Sequence, residues 1–286
     1  MGGLRGAVRP RGGPRGTPAR KRWGQHFLAS PETAVRIVDA AGIGPEDTVV
    51  EVGPGDGALT RPIARRGARL LAIEIDPLRA AALSEEFVGE ARVSVIAGDV
   101  LRKTFAEWLR EAGAKGPAVL LGNLPYYIAT PILLRAIQEP EAISRAIATV
   151  QREVARRIIA RPGQEEYGYL SVRAAAHARA RILFDLPASA FRPRPKVVSS
   201  VLELSPREAP LDPGPRDRAL TLASLGFRNR RKTLANALAS AGPRSAWEEA
   251  LAAMGFSPKA RAEELALEDF LELARRVPPA APRVAP

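Results

Sequence analysis

A chain of 286 residues, 46% hydrophobic and 26% charged, has the size and balance of a globular protein with one large or two modest domains. Cysteine is absent and histidine occurs only at His26 and His177, which excludes a disulfide framework, thiolate-bound metal and cysteine nucleophiles, so no metal is expected. The formal charge of +12 points weakly to an anionic partner, and no apolar run approaches the roughly 18–20 residues of a membrane span, so a cytoplasmic protein with no membrane association is expected.

The first 22 residues, MGGLRGAVRPRGGPRGTPARKR, hold seven basic residues and no acid. Such a Gly/Pro/Arg stretch buries too little apolar surface to fold, so residues 1–20 are expected to be a disordered basic tail. Two readings stand for it: contact with nucleic-acid phosphates, or a solvated extension of biased composition.

From Pro31 the pattern becomes regular. PETAVRIVDAAGI predicts an amphipathic helix with Ser30 as N-cap and Pro31 in the first turn. TVVEVG (48–53) predicts a strand, ALTRPIARR a helix, LLAIEID (70–76) a strand and PLRAAALSEEF a helix. VSVIAGD (93–99), TFAEWLREAG, AVLLGN (118–123) and TPILLRAIQ continue the alternation, and AIATVQ (146–151) with REVARRIIA repeats it. This rhythm predicts a parallel sheet covered by helices on both faces. His177 falls in an Ala-rich stretch read as helix and is taken as structural.

ARILFDLP (180–187) and VVSSVLELS (197–205) are separated only by ASAFRPRPK, so they predict an antiparallel hairpin at one edge of the sheet. PREAPLDPGPRD (206–217) reads as a linker, and RALTLASLGF, KTLANALASA, SAWEEALAAMGF and LALEDFLELARRV as short amphipathic helices. The fold class is therefore α/β, with a mostly parallel seven-stranded sheet and a small all-α second domain. Residues 21–206 and 207–286 are the expected units.

Ligands of doubly wound sheets bind at the carboxyl ends of the strands, and four such ends here carry polar or Gly-rich residues: EVGPGDGALT, EIDP, GDVL and GNLPYY. Gly53, Gly55 and Gly57 let the backbone turn tightly and approach a ligand at a helix N-terminus. Gly53, Gly55 and Ala58 satisfy a loose dinucleotide fingerprint, and Glu74 at the next strand end can accept from ribose hydroxyls, so a nicotinamide dinucleotide and S-adenosylmethionine both fit at this point. Asp99 can accept from an adenine exocyclic amine.

Asn-Leu-Pro-Tyr (123–126) suits methylation of an exocyclic amine on a base. That nitrogen is a poor nucleophile because its lone pair is delocalised into the ring. Acceptors on Asn123 and the Leu124 carbonyl can hold both N–H groups and favour a pyramidal nitrogen. Pro125 stiffens the turn, and Tyr126 supplies a π face for an unstacked base. Arg228, Arg230, Arg231 and Lys232, read as the start of a helix, form a candidate patch for RNA phosphates.

EVGPGDGALT, EIDP, AGDVL and GNLPYYIATP occur in the order and spacing of the KsgA-type ribosomal RNA adenine dimethyltransferases, which the chain resembles from about Lys21 to Leu204. KRWGQHFL (21–28) is similar to the family's N-terminal cofactor motif and FRPRPKVVSSV (191–201) to its late F-x-P-x-P-K-V-x-S segment. The resemblance implies a Rossmann-like class I methyltransferase using S-adenosyl-L-methionine. It implies a product, N6,N6-dimethyladenosine at two adjacent adenines near the 3′ end of small-subunit rRNA, made as the immature 30S particle matures. Carried over, the cofactor contacts are His26, Leu28, Gly53, Gly55, Glu74, Asp99 and Asn123; Asn123, Pro125 and Tyr126 form the amine site, and Phe191 a wall of the base pocket. His26 and Tyr127 stand where the family commonly has Asn. An Erm-like enzyme acting on large-subunit RNA is the alternative, and nothing demands more than a monomer.

Overall fold

The computed structural model describes residues 26–114 and 116–277. The expectations for the basic tail and for the first residues of KRWGQHFL lie outside them. The chain runs β1 (Phe27–Leu28), α1 (Pro31–Ala41), β2 (Thr48–Val52), α2 (Thr60–Arg65), β3 (Arg69–Glu74), α3 (Pro77–Glu86), β4 (Val93–Ala97) and α4 (Phe105–Glu111). It continues β5 (Ala118–Asn123), α5 (Tyr126–Ala136), β6 (Ile143–Gln151), α6 (Arg152–Ile159), α7 (Tyr169–Ala175) and β7 (Ala178–Leu186). Then come β8 (Phe191–Arg192), β9 (Ser199–Pro206), α8 (Pro213–Arg228), α9 (Leu234–Ala237), α10 (Arg244–Ala253) and α11 (Leu267–Arg276).

Local chemistry sets these boundaries. Ser30 Oγ accepts from the Thr33 amide at 3.2 Å to start α1, and Gly42 ends it at φ 57°. Asp76 caps α3, and Thr104 and Glu107 make a reciprocal capping box on α4.

The main sheet has the order β4-β3-β2-β5-β6-β9-β7. β2 through β6 pair in parallel, and β9 runs antiparallel to both its neighbours. Alternation along each strand feeds a core on either face: Val50, Leu71 and Leu120 on one, Val49, Leu70 and Leu121 on the other. A third core gathers Trp247, Phe270, Leu234 and Leu251 of the helical region, where each full burial is worth about 1.5–3 kcal/mol. It also takes Tyr167, Val172 and Ala176, and the Tyr167 hydroxyl donates to the Leu265 carbonyl at 2.7 Å.

Several expectations are corrected. Helix α5 begins at Tyr126 and carries Pro131 inside it, whereas Thr130 was the predicted start; Pro125 serves as its N-cap. His177 lies in the turn after α7, not within a helix. The stretch read as linker becomes helical at Pro213, since proline suits a first turn. Arg228 ends α8, and Arg230, Arg231 and Lys232 occupy the loop before α9 instead of starting a helix. The segment joining β7 to β9 is more than a hairpin loop. It holds β8, which pairs antiparallel with β1 through Phe27↔Arg192 and Leu28↔Phe191.

Candidate active site

The strand order reverses between β2 and β5, the place where a doubly wound sheet opens a crevice at its carboxyl ends. Gly53 follows β2 there, and Asn123 ends β5. The cleft has an empty volume of about 680 Å³ and brings His26, Leu28, Gly53, Gly55, Glu74, Asn123, Pro125 and Tyr126 together, all anticipated from the sequence. An adjoining apolar slot of about 360 Å³ shares Gly53 and Pro125 and adds Asp99 and Tyr127.

One wall is the Gly-rich turn. Gly53 has φ 69° and nothing within 4 Å of where a Cβ would stand, so bare backbone faces open space. Gly55 has φ 57°, and a Cβ there would sit 2.8 Å from Phe27 Cε1. Glu74, 2% exposed, fastens the turn: its Oε2 accepts from the Gly55 amide and its Oε1 from the Asp76 amide, both at 2.9 Å. The acid therefore stays at the cleft wall with lone pairs to spare.

The N-terminal segment crosses the front of this turn and is held from several sides. Asn123 Nδ2 donates to the His26 carbonyl at 2.7 Å. His26 Nδ1 lies 2.7 Å from the Pro193 carbonyl, which can only accept, so the proton sits on Nδ1. The His26 ring stacks on Tyr126 at 5.4 Å between centroids. Phe27 lies under the Arg79 guanidinium at 4.5 Å, and Arg79 pairs with Asp56 of the Gly-rich turn.

Gly122 has no room for a side chain, because a Cβ would stand 2.8 Å from the Val52 carbonyl. The glycine thus lets β5 deliver Asn123 hard against the end of β2. With its amide nitrogen on His26, the Asn123 side chain has its oxygen left to accept. The Leu124 carbonyl has no hydrogen bond among the described residues. The Tyr126 hydroxyl is hydrogen-bonded to Ser199 Oγ at 2.6 Å, and burial pushes its pKa up. Asp99 Oδ1 accepts from the Leu101 amide at 3.0 Å and holds its carboxylate at the edge of the slot.

Glu51 lines the cleft and was not singled out from the sequence. It is 1% exposed, and its pKa is pushed up to about 8, chiefly by burial and further by the charge of Glu74; Thr60 and Arg61 offset this in part. Its Oε2 has no well-formed hydrogen bond among the described residues. The clue was an acid in the otherwise apolar VVEV. Phe191 requires a correction: it is 0% exposed and packs in the core with Ile37 and Leu121, because its pairing with Leu28 buries it, so it forms no wall of the cleft. The four basic residues from Arg228 to Lys232 are exposed on the helical region, outside the cleft.

Among the described residues, no arginine or lysine lines the cleft or the slot, while the acids Glu74 and Asp99 do. Such a set fits a ligand rich in hydrogen-bond donors and positive charge and opposes a diphosphate. Among the described residues, no group of acidic and histidine side chains is arranged to hold a metal ion, and no helix is long and apolar enough to cross a membrane.

The sequence model of the family described as "Ribosomal RNA adenine dimethylase" matches residues 16–277. The "Ribosomal RNA small subunit methyltransferase A" of Methylococcus capsulatus is 40% identical over 260 residues, covering 91% of this chain and 98% of its own. That of Moorella thermoacetica is 39% identical over 268 residues, covering 91% and 93%. Among solved structures, a dimethyladenosine transferase from Plasmodium falciparum aligns with TM-score 0.73 at 23% identity, covering 87% of this chain and 96% of its own. The 23S rRNA methyltransferase ErmE aligns with TM-score 0.66 at 28% identity, covering 87% and 98%.

Proposed function

This chain belongs to the ribosomal RNA adenine dimethylase family, and from that premise we propose that it dimethylates the N6 amines of two adjacent adenosines near the 3′ end of small-subunit (16S) rRNA. S-adenosyl-L-methionine supplies the electrophilic methyl group. The immature 30S particle is the proposed substrate, met in the cytoplasm by a monomer that needs neither metal nor membrane. The relatives at about 40% identity support the small-subunit reading over an Erm-like, large-subunit one.

The observation that carries the reading is the orientation of Asn123, whose amide nitrogen is committed to the His26 carbonyl. Its side-chain oxygen and the Leu124 carbonyl would accept the two N–H groups of the target amine. Holding both draws the nitrogen lone pair out of conjugation, so no prior proton abstraction is needed. As the nitrogen–methyl bond forms, the sulfonium C–S bond would break to leave S-adenosylhomocysteine, and the cationic nitrogen, now acidic, would then give its excess proton to solvent. Pro125 fixes the turn, and the Tyr126 ring gives the base a surface to lie on, with its hydroxyl tethered to Ser199.

On the cofactor side, Glu74 would accept from the ribose hydroxyls and Asp99 from the adenine amine. Gly53 and Gly55 keep the wall bare, and His26 and Leu28 close the front. A nicotinamide dinucleotide fits poorly, because its diphosphate would meet Glu74 with no compensating cation among the described residues. Arg228, Arg230, Arg231 and Lys232 would hold phosphates, and residues 207–286 would form the RNA-binding unit behind the catalytic unit of residues 21–206.

The test is incubation with labelled S-adenosylmethionine and small-subunit particles from a strain lacking the modification. Label is expected on two adjacent adenosines of the small-subunit RNA. Label on large-subunit RNA alone would overturn the reading.

A further inference from the structure

We propose that the groove between α7 and α8 is a docking track for the sugar–phosphate backbone of the substrate RNA, separate from the catalytic cleft; the proposal rests on the RNA methylation reading above. Tyr169, Arg173 and His177 recur at four-residue spacing along α7 and the turn that follows it, and all three line the groove. The facing wall is α8, with Arg216 near one end, Arg228 at the other and the hydroxyls of Thr221 and Ser224 between. At 1.5 Å per residue, the two arginines of α8 stand about 18 Å apart along the helix. A groove with cations this far apart suits an extended strand better than a small anion.

The groove's charge is unbalanced. Among the described residues, Asp217 is the one carboxylate on its lining, and it is already hydrogen-bonded to Arg216 Nε at 2.9 Å. Among the described residues, neither Arg173 nor Arg228 has an ion pair or hydrogen bond through its side chain. Arg173 is also half-buried, so it has given up hydration without gaining an anion. The positive field registers on His177, whose pKa is lowered by burial first and then by Arg216 and Arg173, with Asp217 opposing.

Cations flanking neutral hydroxyls are the composition of a backbone-positioning surface, which reads phosphate and ribose, not base edges. The groove reaches Arg228 at the end of α8, next to the loop that carries the exposed Arg230, Arg231 and Lys232. Its other end is remote from the chemistry. β7 starts at Ala178 opposite Pro206, where β9 ends, while Ser199, where β9 begins, holds Tyr126. RNA lying along the track would pass down the flank of the protein, away from the cleft that takes the target adenosine.

The test uses the full chain, with Thr221→Glu, Thr221→Lys and Arg173→Gln as variants, Thr221 being exposed on α8. Affinity for small-subunit particles lacking the modification is measured over a series of salt concentrations, with S-adenosylhomocysteine affinity as the check on the fold. At low salt, Thr221→Glu is expected to weaken particle binding about tenfold and Thr221→Lys to tighten it, the two converging at high salt. Arg173→Gln is expected to reduce the slope of log affinity against log salt by about 0.7–0.9, one phosphate contact. S-adenosylhomocysteine affinity should not move in any of them. Unchanged affinity and slope in all three variants, with the parent protein binding and methylating the particles, would overturn the groove alone. A parent protein that binds S-adenosylhomocysteine but neither binds nor methylates the particles would overturn the RNA reading itself.

Discussion

Asn123 and His26, 97 residues apart in sequence, are joined by a 2.7 Å hydrogen bond from the Asn123 amide nitrogen to the His26 carbonyl. The bond uses the backbone of His26, so it does not itself depend on the residue type there. It also makes the orientation of the Asn123 amide depend on a segment outside the main sheet.

Replacing Asn123 with Ala removes the oriented acceptor and this tie together. Methyl transfer is expected to fall by roughly 10²–10³ in kcat, the usual loss for one preorganised polar group. Stability should fall by only about 1 kcal/mol, the worth of a single hydrogen bond. Single-turnover kinetics and urea unfolding check the two halves, and unchanged turnover would remove Asn123 from the chemistry.

Tyr126 separates ring from hydroxyl. Tyr126→Phe keeps the stacking surface and loses the Ser199 bond, so its effect on turnover should stay within about a few-fold. Tyr126→Ala removes the surface and should cost on the order of 1–3 kcal/mol in kcat/KM for RNA. Equal losses in the two variants would mean that the hydroxyl, not the ring, matters.

Gly55→Ala and Gly89→Ala form a matched pair. Both glycines have positive φ, but only at Gly55 would the new methyl meet a neighbour, Phe27 at 2.8 Å. Each should lose about 1 kcal/mol or more to backbone strain. Only Gly55→Ala should also weaken S-adenosylhomocysteine binding, about tenfold or more, because Phe27 and the turn must part. Calorimetric titration of both variants decides it.

Glu51 predicts a pH dependence. Its folded pKa is about 8 against an ordinary value of 4.5, so between these the folded state holds a proton that the unfolded state has lost. Stability is therefore fully present below about pH 4.5 and declines as pH rises to about 8, by at most on the order of 5 kcal/mol. Glu51→Gln should match the parent protein near pH 4 and exceed it in stability near pH 9. A stability difference that does not vary with pH would show that folding leaves the Glu51 pKa unshifted.

Much of this was legible in advance, for physical reasons that differ by element. The parallel strands are continuous apolar runs bounded by caps and glycines, so Thr48–Val52 and Ala118–Asn123 could be placed closely. Most of the cleft followed, because strand ends converge at a switch point wherever the order reverses. What escaped was set by pairing at a distance. β1 and β8 are two residues each, too short to show periodicity, and their pairing is what buries Phe191. Glu51 was hidden because its environment, not its spacing, makes it unusual. Arg230 to Lys232 were placed on a helix since basic residues beside an Ala/Leu pattern look helical, yet Thr233 caps the next helix only after them.

The position of β9 has a consequence for how the protein is made. This last strand to be translated does not join an outer edge but inserts between β6 and β7, and its first residue, Ser199, anchors Tyr126. A nascent chain therefore lacks a finished sheet, and a tethered Tyr126, until Pro206 has cleared the exit tunnel. Everything before that point is a sheet with a gap between β6 and β7, which closes only as the strand slots home.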